Sequence, residues 1–138
     1  KMSKSDNENS AIYLADKPEV LRKKVMRAVT DSGPVDPEKP KSQGVQNLFD
    51  LMSYFSTPDT LTTFEGHYQA GTIRYGDMKK QLAEDIIQFT TPFREKMEAL
   101  AADHDYLKRV AWMGAEKARA SASKTVNEVR EIIGFRHF

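Results

Sequence analysis

Residues 78–100 read MKKQLAEDIIQFTTPFREKMEAL. Met78, Leu82, Ile86, Phe89, Phe93, Met97 and Leu100 recur at spacings of three and four, which puts them on one face of a 3.6-residue period. The stretch therefore predicts a long amphipathic helix. Pro92 falls inside it and removes a backbone donor, so a bend is expected there, with the stripe resuming in phase. Asp103 follows as an N-cap for a last helix over about 104–133, closed by Gly134 at the C-terminal cap. In that helix Ala115, Ala118, Ala122, Val126, Val129 and Ile133 share a face, and the alanines predict close helix–helix approach.

Moving toward the N-terminus, Thr57-Pro58 has the form of an N-cap and first helical residue for a helix over 58–69, which Gly71 ends. Val45, Leu48, Phe49, Leu51, Met52 and Phe55 mark a helix over 44–55. Residues 31–43 carry Gly33, Pro34, Pro37 and Pro40 and read as a long loop. Before it, Asp16, Pro18 and Glu19 form a capping-box-like start to another helix. Its apolar stripe is Val20, Leu21, Val25, Ala28 and Val29, and Arg22, Lys23, Lys24 and Arg27 are assigned to the opposite face. Residues 1–15 read as an extended, mobile arm in which Ile12, Tyr13 and Leu14 form a short strand or an anchor. No segment shows sustained strand alternation. The expected fold class is all-α, an irregular helical bundle of about four or five helices.

Composition sets further bounds. The 138 residues suffice for a compact domain with a core, and 30% charged against 39% hydrophobic residues is ordinary for a water-facing protein. A mean hydropathy of −0.62, with no long apolar run, argues against a membrane span. Nothing resembles a signal peptide. Without cysteine there is no disulfide or thiolate metal site, and a cytoplasmic location is expected. His67, His104 and His137 are scattered, so no metal site is expected, and no pair of carboxylates has a spacing that demands acid–base chemistry. Asp31 is expected to be structural. A net charge of +1 gives no global field for nucleic acid, so any RNA contact must be a local stripe.

The chain begins Lys1-Met2-Ser3-Lys4-Ser5. Two ammonium groups three residues apart, with hydroxyl donors between and after, suit a loop that folds over a triphosphate. A five-residue match is also what a basic tail can carry; its weight comes from the blocks that follow. Asp6-Asn7 extends the motif. After it come Arg22-Lys23-Lys24, Arg27-Ala28-Val29-Thr30-Asp31-Ser32, Gly44-Val45-Gln46-Asn47-Leu48, Tyr75-Gly76-Asp77-Met78-Lys79, Gly114-Ala115-Glu116-Lys117-Ala118-Arg119 and Ile133-Gly134-Phe135. In content and order these blocks resemble the C-terminal region of the bacterial-type tryptophanyl-tRNA synthetases, a class I family, beginning at the KMSKS loop.

That resemblance implies a Rossmann-type catalytic domain with a HIGH-type motif upstream, absent here. Residues 1–15 are then loop and arm of that domain, and 16–138 a C-terminal helical domain that binds the tRNA anticodon. It implies that Lys1, Met2, Ser3, Lys4 and Ser5 bind ATP, that Lys4 and Lys1 are the catalytic pair, and that Mg2+ accompanies ATP with no dedicated protein cage. It also implies tryptophan and its tRNA as partners and a homodimer formed through the absent domain. The isolated chain is expected to be inactive. A tyrosine-type synthetase piece and a non-enzymatic helical interaction module are the alternatives.

Two groups were weighed as RNA contacts. On the last helix, Arg119, Ser123 and Arg130 flank the alanine face, and Lys117 and Lys124 lie nearer solvent, diluted by Glu128 and Glu131. Tyr106, Trp112 and His104 are the candidates for stacking on splayed bases, although Trp112 reads first as packing. The basic residues 22–27 read first as the solvated face of an amphipathic helix, and second as a phosphate or RNA contact.

Overall fold

The structure is a computed structural model that describes residues 11–31 and 40–135. Among them it holds five α-helices and no strand: α1 Pro18–Met26, α2 Gln43–Phe55, α3 Pro58–Gln69, α4 Tyr75–Ala102 and α5 His104–Ile132. The all-α expectation is borne out. The chain divides into two compact units, Lys1–Glu95 and Lys96–Phe138.

Local chemistry sets most helix ends. Thr57 Oγ1 accepts from Thr60 N at 3.3 Å with Pro58 in the first turn of α3, and Asp103 Oδ1 accepts from Tyr106 N at 2.9 Å at the start of α5. Ser42 caps α2 through Val45 N, one residue earlier than the sequence pattern suggested. Gly71 and Gly134 adopt φ of 66° and 76°, the left-handed turn that ends α3 and α5. After α5 the Phe135 N–H returns to Arg130 O at 2.9 Å. One start differs: the N-cap of α1 is Lys17, with no side-chain cap, because the Asp16 carboxylate is held elsewhere.

α4 runs through Pro92 without interruption. In the turn before it, Thr90 Oγ1 donates to Ile86 O at 2.9 Å and Thr91 Oγ1 to Ile87 O at 2.7 Å, the i−4 back-bonding that accompanies a helix bend.

The core of the first unit gathers Leu21 and Val25 from α1, Val45, Leu48, Phe49 and Met52 from α2, Tyr68 from α3, and Met78, Leu82, Ala83 and Ile86 from α4. Phe49 meets Tyr68 edge-to-face at 5.9 Å, and the Lys41 ammonium covers both rings at 4.6 and 4.9 Å. Ser56, at the end of α2, donates to the Asp85 carboxylate of α4. The α4 stripe is core only over its first half: Phe89 and Phe93 stay half exposed, stacked on each other at 5.5 Å.

In the second unit, α5 has no buried residue. Ala118, Ala122, Val126, Val129 and Ile133 are exposed, and Ala115 is partly covered. Within this unit, taken by itself, the described residues do not cover the alanine face. Periodicity marks a face that favours leaving water; it does not supply a neighbour.

α2 and the chain leaving α1 come unusually close. A Cβ on Gly44 would lie 2.5 Å from the Val29 carbonyl oxygen, a backbone atom that cannot swing away. Gly66, inside α3, has open space around it. Gly44→Ala is thus expected to destabilise the chain by about 1–3 kcal/mol, whereas Gly66→Ala stabilises it by roughly 0.5–1 kcal/mol. Urea denaturation of both variants checks this, and equal effects would remove the case for close approach at Gly44.

Candidate functional site

The lysine loop, Lys1 to Ser5, lies outside the described residues. Its base does not. Asp16 N donates to Tyr13 O at 3.0 Å, closing a turn over residues 13–16, so Ile12, Tyr13 and Leu14 form an anchor and not a strand. The Asp16 Oδ2 atom accepts from Tyr13 N at 3.0 Å and from Lys24 Nζ at 2.7 Å. The same ammonium donates to Ala11 O at 2.8 Å and lies 4.8 Å from the Tyr13 ring centroid. The Lys24 and Asp16 side chains are only 8% and 14% exposed. From α4, the Arg94 guanidinium reaches Asp16 O at 3.5 Å. Over residues 11–16 the arm expected to be free is tied down.

These contacts also correct the reading of the basic helix. Lys24 was placed on the solvent face, but at 100° per residue it falls between Val20 and Leu21, at the edge of the apolar stripe. Arg22 Nε and Nη2 bind the two Glu84 carboxylate oxygens at 2.6 and 3.0 Å, joining α1 to α4. That hydrogen bond holds the Glu84 carboxyl below its usual range and raises the Arg22 guanidinium. Two of the four cations therefore serve the fold.

A second junction gathers three of the sequence blocks. Lys79, 9% exposed, donates to Ala28 O at 2.7 Å and to Thr30 Oγ1 at 3.1 Å. It thus binds the segment that Gly44 approaches. Tyr75, four residues earlier on α4, has its hydroxyl buried and without a hydrogen-bond partner among the described residues. Burial, then the negative charge of Asp31, then Tyr68 raise its pKa. Sequence reasoning passed over Lys79, although a helical wheel places it between Ile86 and Ala83 on the apolar face.

On α5, Arg119, Ser123 and Arg130 fall within about 40° of one another at 3.6 residues per turn, with Lys117 and Lys124 on the far side; all five are exposed. Arg119 Nη1 pairs with Glu116 at 3.2 Å. Trp112 is 64% exposed, and Tyr106 is stacked beneath Arg109 at 5.8 Å. In the first unit, Phe64, His67, Thr72, Arg74 and Asp77 line an open hollow of about 350 Å³. Among the described residues no three His, Asp or Glu stand close enough to hold a metal ion, and no helix is long and apolar enough to cross a membrane.

The family profile of tRNA synthetases class I (W and Y) matches residues 1–91. The chain belongs to that family. Over 136 residues it is 51% identical to a tryptophan–tRNA ligase of Porphyromonas gingivalis, covering 99% of this chain and 41% of that protein. It is 42% identical to tryptophan–tRNA ligase 1 of Streptomyces coelicolor, covering 97% and 39%. Against the tryptophan–tRNA ligase of Helicobacter pylori it is 36% identical, covering 97% and 40%. The chain spans about two fifths of the length of these relatives. In this class I synthetase chain the profile takes in α1–α3 and α4 as far as Thr91; α5 lies beyond it but within the relatives' alignments.

The depressed Glu84 pKa gives a pH signature. A carboxylate whose folded pKa is lowered stabilises the fold above its unfolded pKa, and that contribution fades as pH falls through the folded value. Because the pair is exposed, the effect is small. Glu84→Gln is expected to lower the urea midpoint slightly at pH 7 and not at all at pH 2–3. A difference that persists in acid would assign it to packing, not charge.

Proposed function

We propose that this chain acts as the C-terminal region of a tryptophan–tRNA ligase, supplying the ATP-phosphate loop and the helices that bind tRNA. In the whole protein a tryptophan carboxylate oxygen attacks the α-phosphorus of ATP. The bond from the α-phosphorus to the bridging oxygen breaks, giving tryptophanyl-adenylate and pyrophosphate. A terminal ribose hydroxyl of the tRNA then attacks the activated carbonyl, loses its proton, and releases AMP. Lys1 and Lys4 neutralise the phosphate oxygens, Lys4 chiefly as charge builds on the departing pyrophosphate; Met2 and Ser3 shape the loop and Ser5 donates a hydrogen bond. Mg2+ enters with ATP as part of the substrate. The whole protein is read as a cytoplasmic homodimer.

The observation that carries this reading is the likeness to tryptophan–tRNA ligases along nearly the whole chain, beginning at the KMSKS sequence itself. The test is ATP–pyrophosphate exchange by the full-length protein, each amino acid assayed separately. Exchange with tryptophan alone is expected, and Lys4→Ala should cut its rate roughly 10²–10³-fold while ATP binding changes far less. Equal losses in rate and binding would remove Lys4 from the transition state. Exchange with tyrosine would keep the mechanism and change the substrate.

The Arg119, Ser123 and Arg130 flank of α5 is proposed as the RNA-backbone contact, with Lys117 and Lys124 adding charge from the far side. The salt dependence of tRNA binding to the full-length protein measures it. Arg119→Ala with Arg130→Ala should reduce the slope of log K against log salt by about 2, near one per phosphate contact. An unchanged slope would move the RNA to another surface.

A further inference from the structure

We propose that Lys24 is a positioning residue for the lysine loop, acting through the Ala11 carbonyl and the Asp16 carboxylate; this rests on the function proposed above. Among the described residues, no other side chain in α1 combines this burial with bonds to the segment 11–16. Lys24 Nζ donates to Ala11 O at 2.8 Å and to Asp16 Oδ2 at 2.7 Å, while Asp16 Oδ2 also takes the Tyr13 N–H at 3.0 Å. Arg94, itself held to Thr91 Oγ1 at 3.1 Å, reaches Asp16 O at 3.5 Å. One ammonium therefore fixes both ends of the segment 11–16 against α1, and a second cation ties it to α4.

Geometry gives this clasp its effect on chemistry. Ala11 is seven residues beyond Lys4, so the chain between them can span at most about 25 Å. Fixing Ala11 limits where the Lys4 ammonium can lie, and loop-closure entropy lost in advance is not lost again when the phosphates are bound. A free segment 11–16 would let the loop depart from a range of points and lower the fraction of encounters in which Lys4 meets the departing pyrophosphate. The burial has a second consequence. A buried ammonium needs its acceptors, so an apolar residue at position 24 leaves both the Asp16 charge and the Ala11 carbonyl without their donor.

The test uses the full-length protein and tryptophan-dependent ATP–pyrophosphate exchange. Lys24→Met is combined with Asp16→Asn so that no buried charge is left alone, and the variant is assayed well below its melting temperature, with folding checked by circular dichroism. The expected result is a kcat at least tenfold lower with KM for tryptophan within about twofold. Lys24→Arg, which keeps a cationic donor, should recover kcat to within about threefold of the parent. Glu84→Gln, which breaks a different α1–α4 bond, should leave kcat unchanged. A folded double variant with parental kcat overturns the proposal, as does a loss that Lys24→Arg shares in full. A parent protein that exchanges with no amino acid overturns the functional reading itself, and the positioning role falls with it.

Discussion

No side chain larger than hydrogen fits between the start of α2 and the backbone at Val29. Gly44 would place a Cβ 2.5 Å from the Val29 carbonyl oxygen, and the packing of the first unit depends on that approach. It brings Val45, buried and adjacent to the glycine, to the same core as Leu21 and Val25 of α1. The segment that follows α1 is tied from α4, where Lys79 donates to the Ala28 carbonyl and to the Thr30 hydroxyl. The lysine stem gives the reach, and two of the three ammonium donors are used on these oxygens. Gly44 and Lys79 thus act on the same short segment, residues 28–30, from α2 and from α4.

Two lysines in this unit are held in the same manner, by carbonyl oxygens at the end of a chain segment. Lys79 holds the exit from α1, and Lys24 the entry to it at Ala11. Among the described residues, Lys24 alone of the two has a carboxylate partner, Asp16. Helix α1 is therefore clamped at both its approach and its departure. A nine-residue helix has little stability of its own, and these two clamps together with Leu21 and Val25 account for its placement.

Much of the fold was legible because it is written locally. Thr57-Pro58, Asp103 and Gly134 each act within one turn of the residue they cap, so the ends of α3 and α5 could be read from neighbours in sequence. Asp16 was misread as a cap because its partner is eight residues on, and the choice between its own helix and Lys24 is tertiary. The α5 alanine face is legible as a stripe, but nothing in a period names what lies against it. The resemblance is what proposes Lys1 to Ser5 as the phosphate loop. It could not locate the groups that hold the loop's base, because Lys24 in sequence is one member of an ordinary basic run. Its position beside Leu21 on the helical wheel was the available signal.

The distribution of charge decides what kind of nucleic-acid surface this chain can offer. With a net charge of +1, steering of RNA from a distance is weak. Among the described residues of the first unit, Arg22 is answered by Glu84, Lys24 by Asp16, Lys80 by Asp77, and Lys79 by carbonyl and hydroxyl oxygens. Helix α5 differs, with six lysines and arginines against four acidic residues and no buried position. Its field is local, and at physiological salt it decays within about 8 Å. Such a stripe selects by geometry and not by attraction: an RNA backbone gains from it only when it runs along the helix for several phosphates. A rigid helix of 29 residues, about 44 Å long at 1.5 Å per residue, is long enough to impose that alignment. A stripe of this kind is therefore suited to aligning an extended polyanion and not to drawing one in from a distance.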